Sequence, residues 1–142
     1  MISIKMIRKT TGRGMIEVFE KTYGSFDQLE RIVKKDPENM IAYYDLDDWK
    51  YFLKHPDEEV EDGKTVFTED LRIGKIELEI LNFIKNNNPK SMRDLAKLMN
   101  KDVANVQRKV KNLEKEGLIT LKEGSKNSKI PVVNYDKIEI EV

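Results

Sequence analysis

The chain has 142 residues, 39% hydrophobic and 37% charged, with one His and no Cys; this allows one ordinary domain or two small ones and excludes disulfides and thiolate metal sites. No apolar run approaches the roughly 20 residues needed to cross a bilayer, and the start, MISIKMIRKT, lacks the apolar core of a signal peptide, so a cytoplasmic protein is expected. The formal net charge of zero is a cancellation: residues 1–70 hold 11 Lys/Arg against 16 Asp/Glu, and residues 71–142 hold 15 against 10, which points to an anionic partner for the second half.

Residues 2–8 are rich in Ile with partial alternation, and 15–20 (MIEVFE) alternate more cleanly. Thr10-Thr11-Gly12-Arg13-Gly14 between them is turn-like, so a β-hairpin is expected. Gly12-Arg13-Gly14 lacks the Lys-Ser/Thr that a phosphate-cradling loop needs and reads as a turn. Ser25 caps a helix with Phe26, Leu29, Ile32 and Val33 on one face, and Pro37 stops it. Met40–Tyr44 reads as a strand. Asp45 then caps a second helix whose stripe is Leu46, Trp49, Phe52 and Leu53, ended by Pro56.

The aspartates at 45, 47 and 48 could suggest a metal or acid/base site; capping and dipole compensation explain them without chemistry. The Trp49 and Tyr51 region fits a ligand pocket, a dimer surface or simply core, the last being commonest for aromatics at helical spacing. His55 sits near a helix C-terminus, where a cation is favourable anyway. Residues 57–64 (DEEVEDGK) read as an acidic, solvated linker.

Thr68 is the expected cap of a helical run that includes Leu71. Ile73, Ile76, Ile80, Phe83 and Ile84 mark a helix near 74–86, ended by Asn86-Asn87-Asn88-Pro89. Ser91 opens a short helix with a capping box, in which its hydroxyl accepts from the Asp94 N–H and Asp94 reaches back to the Ser91 N–H. Leu95, Ala96, Leu98 and Met99 give its buried face. Asn100-Lys101 break the pattern, and Asp102 caps the next helix. Val103, Val106, Val110 and Leu113 are its apolar stripe, and Gly117 is its expected C-terminal stop.

The other face of that helix carries short amide and guanidinium groups. Asn105 and Gln107 can pair with adenine, Arg108 with guanine, and Ala104 leaves room for a thymine methyl. Lys109 and Lys111, with Ser91, Arg93 and Lys101 around the turn, are expected at phosphates. After Gly117, LITLK and IPVVNY flank a Gly/Ser/Asn/Lys loop and make a hairpin tipped by Lys126, Asn127 and Lys129. Residues 137–142 (KIEIEV) alternate strictly and add a strand. Residues 85–129 hold 12 basic against 5 acidic residues, so the positive charge falls on the elements that would meet a duplex.

The fold expected is therefore α+β. A small N-terminal α+β region, a hairpin plus two helices, occupies residues 1–56, and an acidic linker spans 57–65. A winged helix-turn-helix domain occupies 66–142. Helix 103–116 would read the major groove, and the wing at 122–130 would lie along the backbone or in an adjacent groove.

SMRDLAKLMNKDVANVQRKVKNLEKEGLI and the tail IPVVNYDKIEIEV carry a resemblance. The chain from about Val66 to Val142 resembles predicted archaeal and bacterial winged-helix transcriptional regulators of the MarR-like neighbourhood. The resemblance implies a DNA-binding regulator that usually works as a homodimer and in some members partners a small toxin. Gln107 stands where that group often has His, and Lys109 where it often has Asp, so base preference is not carried over. The expected partners are double-stranded DNA, a second copy and a protein held through residues 1–56; no membrane, cofactor or metal is expected. The alternative function is a winged-helix protein-interaction module, and an enzyme is third.

Overall fold

The computed structural model describes all 142 residues. Its elements are β1 (Ile2–Thr11), α1 (Gly12–Tyr23), α2 (Phe26–Lys35), α3 (Met40–Lys54), β2 (Glu59–Thr68), α4 (Lys75–Asn87), α5 (Met92–Met99), α6 (Val103–Lys115), β3 (Thr120–Glu123), β4 (Lys129–Val132) and β5 (Lys137–Glu141). The class is mixed α+β. The chain divides into two compact units, one made of Met1–Arg8 with Gly63–Val142 and the other of Lys9–Asp62.

This division corrects the expected organisation in two places. The acidic stretch 57–65 is no linker, because Glu59–Thr68 is a ten-residue strand. The first residues of the chain also belong with the last: β5 pairs antiparallel with β1, setting Ile4 opposite Ile140 and Met6 opposite Ile138. The sheet runs in the order β2-β1-β5. The 9–62 unit is thus an insertion between two strands of one sheet. Its acidic charge misreads as a linker because only Val60, Asp62, Val66 and Thr68 of β2 are half-exposed and the rest of the strand is exposed, as in a solvated segment.

The Lys9–Asp62 unit is helical where a hairpin and a strand were expected. The segment 15–20 lies inside α1. Met15, Ile16, Phe19 and Tyr23 fall on one helical face and pack on the unit's core, so the alternation was a coincidence of the 2.0 and 3.6 periods. Thr11 accepts from the Gly14 N–H at 3.2 Å as the N-cap. The N–H groups of Gly12 and Arg13 reach Glu58 O at 3.0 Å and Pro56 O at 2.8 Å.

Met40–Tyr44 is the first turn and a half of α3, capped by Asn39, which accepts from the Ala42 N–H at 3.1 Å. Asp45 is therefore not a cap but an interior residue. The core of this unit is Phe19, Leu29, Ala42, Leu46, Trp49 and Phe52. Trp49 stacks on Phe19 with ring centroids 5.7 Å apart and takes Phe26 edge-on at 5.4 Å. Leu53, placed in the stripe from its spacing, is exposed. Ser25 caps α2 as expected, accepting from the Gln28 N–H at 3.2 Å.

The other unit has its own core: Ile4 and Met6 from β1; Ile80, Leu81 and Ile84 from α4; Leu95, Ala96 and Met99 from α5; Val106, Val110 and Leu113 from α6; then Leu118, Ile119 and Tyr135. Leu98 and Val103, expected inside, are at least one-third exposed. Thr68 caps no helix. Its hydroxyl accepts from the Asp70 N–H at 3.1 Å, a local turn, and α4 starts later, after Gly74. No helix of the chain is long and apolar enough to cross a membrane.

Candidate nucleic-acid interface

Helices α5 and α6 are held at fixed ends by short side chains. Ser91 caps α5, accepting from the Asp94 N–H at 3.0 Å. Asp94 reaches back one residue further than expected, to the Lys90 N–H at 2.9 Å. Asn100 ends the helix in the left-handed region at φ 53°, and Lys101 N–H donates to Ala96 O at 2.9 Å. Asp102 starts α6, accepting from the Asn105 N–H at 3.2 Å. At its far end Gly117 takes φ 81°, and Leu118 N–H returns to Leu113 O at 2.9 Å. A side chain at Gly117 would force that positive φ on an L-residue.

With Val106, Val110 and Leu113 buried, the opposite face of α6 is fixed outward. Ala104, Asn105, Gln107, Arg108 and Lys111 are all exposed there. Ala104, Arg108 and Lys111 follow one another at spacings of four and three, a single stripe. Arg108 donates from Nη2 to Asn105 Oδ1 at 2.7 Å, which braces two of the expected base-reading groups against each other.

Lys109 does not share that face. It turns toward α4, where its Nζ donates to Glu77 Oε1 at 2.7 Å. Glu77 uses its other oxygen to accept from the Gly74 N–H at 3.0 Å at the start of α4. The Lys109 hydrogen bond holds the Glu77 carboxyl below its ordinary range, against an opposing push from partial burial. The phosphate role expected of Lys109 is therefore replaced by a tie between two helices. On the helical wheel Lys109 flanks the buried stripe beside Val106 and Leu113, but that spacing does not name its partner, because Glu77 lies 32 residues away.

Arg93 and Lys101 are exposed near the turn, whereas Ser91 is half-buried and already used as a cap. The β3–β4 hairpin pairs Thr120 with Val132 and Glu123 with Lys129. Its tip is tight: Lys126 and Asn127 both take left-handed φ, 54° and 61°, and Gly124 N–H donates to Ser128 O at 2.8 Å. Lys126 and Asn127 are exposed. Lys129 forms an ion pair with Glu123 across the strands, which neutralises part of the positive charge expected at the tip. β4 packs on α4 and α5.

The structure adds two cations that were not among the expected contacts. Lys90 and Lys122 line one cleft of about 310 Å³ with Asn88, Pro89 and Pro131. Lys122 is the first residue of the expected wing, though not one of its named tip residues. Lys90 sits in the α4–α5 turn, and only the folding of β4 against α4 and α5 brings the two onto one cleft.

Asp45 and His55, expected to be structural, take partners within their own unit. Asp45 accepts from the Tyr23 hydroxyl at 2.5 Å, and burial, then this hydrogen bond, push the Tyr23 phenol up to about 12. His55 ends α3, its ring 4.3 Å from that of Tyr51. No group of three or more His, Cys, Asp or Glu side chains is placed to hold a metal ion.

The model of a family described as HVO_A0114 matches residues 75–140, from the first residue of α4 into β5. The description names no activity, and the chain is similar to that family over this segment. No curated protein and no solved structure matches the chain.

Proposed function

We propose that the chain is a DNA-binding transcriptional regulator. In this reading α4, α5, α6 and the β3–β4 hairpin form a winged helix-turn-helix, and α6 enters the major groove. The observation that carries it is the concentration of 12 basic against 5 acidic residues in 85–129, together with an outward α6 face of Ala104, Asn105, Gln107 and Arg108. Arg108, braced by Asn105, offers a preset guanidinium fork to a guanine edge. Arg93, Lys101 and Lys111 meet phosphates, with Ser91 beside them, and Lys126, Asn127 and Lys129 follow the backbone or an adjacent groove. Phosphate contacts supply most of the affinity and its salt dependence; the few base contacts supply selectivity. A homodimer is the form that matches a two-fold operator.

The test is binding of the intact protein to duplex DNA from upstream of its own gene, against scrambled duplex, over a salt series. Selective binding that falls linearly in log salt is the expected result. Weak binding, equal for both duplexes, overturns it.

A second reading, a protein-interaction module, is favoured by one observation. Six of the exposed large apolar side chains, Met40, Ile41, Tyr43, Tyr44, Tyr51 and Leu53, lie on the single helix α3 of the acidic unit.

A further inference from the structure

Helix α3 is amphipathic twice over. Ala42, Leu46, Trp49 and Phe52 are buried in the core of their unit. On the opposite side Met40, Tyr44, Asp47 and Tyr51 recur at spacings of four, three and four, which is one stripe of a 3.6-residue helix. Ile41 and Asp48, seven residues apart, flank it. Met40 is 49% exposed, Tyr44 58%, Tyr51 46% and Ile41 75%. Scattered apolar residues on a surface need no explanation, but a contiguous set marks an interaction site. Tyr and Met are also types that interfaces favour.

Charge selects the occupant. Residues 9–62 hold 8 Lys/Arg against 14 Asp/Glu, so this unit repels nucleic acid. Asp47 is also the middle residue of Met40–Lys54, with Asp48 beside it. Any symmetric crossing of α3 with α3 of a second copy at that midpoint sets these carboxylates against their own counterparts, and like charges across an interface are unfavourable. The Asp48 carboxyl is already pushed above its ordinary range, by burial first and then by Asp45 and Asp47. Lys50 and Lys54 are exposed three and seven residues on from Asp47, whereas Asp48 lies on the far side of the stripe from them; a partner that brings cations with apolar side chains satisfies both halves of the surface.

We propose that the outer face of α3 docks a basic amphipathic segment of another protein, a helix whose apolar side chains meet Met40, Ile41, Tyr44 and Tyr51 while its Lys or Arg side chains bracket Asp47 and Asp48. This is the helix-on-helix mode of peptide recognition. It does not rest on the DNA-binding reading, since it uses none of the same residues.

The experiment titrates the full chain into a labelled synthetic helical peptide of Leu and Lys at amphipathic spacing, and into its counterpart with Glu in place of Lys. Expected is saturable binding of the Lys peptide alone. Tyr44→Ser, and separately Asp47→Asn with Asp48→Asn, each weaken it by about tenfold or more, a change of about 1.4 kcal/mol. Trp49 emission and the thermal midpoint check that both variants keep their fold. Equal binding of the two peptides, no binding, or binding undiminished in either variant overturns the proposal. So does a concentration-dependent dimer that Tyr44→Ser abolishes, which assigns the face to a second copy.

Discussion

Glu77 holds two elements at once: one carboxylate oxygen accepts from the Gly74 N–H at 3.0 Å to start α4, and the other accepts from Lys109 Nζ at 2.7 Å to fasten α6 to it. Lys109 and Glu77 are both largely shielded from solvent, their side chains 32% and 15% exposed. A cation of α6 thereby sets that helix against its neighbour.

Lys109→Met should therefore cost stability rather than DNA affinity. A loss of about 1–2 kcal/mol is expected by urea denaturation, with the salt slope of DNA binding unchanged. The pH dependence follows from the lowered carboxyl. The stabilisation is present above the ordinary glutamate value of 4.5 and is lost as pH falls through the lower folded value. Wild type and variant should converge in acid. A variant with a reduced salt slope and unaltered stability would return Lys109 to the phosphates.

On the outward face, Arg108 and Lys111 should behave differently from each other. Arg108→Ala is expected to lose about 1–3 kcal/mol of discrimination between the preferred and the scrambled duplex. Lys111→Ala should weaken both duplexes alike and reduce the log–log salt slope by about 1. Anisotropy titrations over a salt series separate the two patterns. If Arg108→Ala leaves selectivity intact, α6 is not the reading helix.

Tyr135 donates its hydroxyl to Leu118 O at 2.7 Å inside the core. Tyr135→Phe keeps the ring and orphans the carbonyl, at a cost of about 1–2 kcal/mol at neutral pH. Burial pushes the Tyr135 phenol from 10.0 up to about 12. A raised folded value means stability is whole below 10 and declines as pH rises from there towards 12. Wild type should lose stability over that alkaline window more steeply than Tyr135→Phe. Tyr23, raised to about 12 mainly by burial, contributes the same slope in both proteins.

Gly12 tests the inserted unit alone. A Cβ there would collide with the His55 carbonyl oxygen and press on Pro56, both backbone atoms that cannot turn aside. Gly12→Ala should destabilise the 9–62 unit by about 1–3 kcal/mol. The chain has a single Trp, Trp49, in that unit's core, so its fluorescence reports this loss directly. An unchanged Trp49 transition would show that Gly12 has room.

Much of the proposed interface was legible in the sequence, because caps and stripes are local. Ser91, Asp102 and Gly117 stand where short-range hydrogen bonding needs them, and Val106, Val110 and Leu113 fix which way α6 faces. The N-terminal unit was harder. MIEVFE satisfies two periods at once, and Met40–Tyr44 is β-prone in composition, yet both segments became helices once Phe19, Leu29 and Trp49 offered one core for helical faces to share. Propensity in such short stretches is weaker than the burial it competes with.

By itself the sequence determined the positions of helices α2, α4, α5 and α6, the hairpin after them, and the sign of the charge each half carries. These follow from contacts within a few residues or from counting. The tertiary structure alone decided that β5 closes on β1, that residues 9–62 are inserted between two strands of one sheet, and that Lys109 faces Glu77 rather than solvent. Each joins residues tens of positions apart, and no periodicity in the chain records which distant side chain will complete a hydrogen bond or a strand edge.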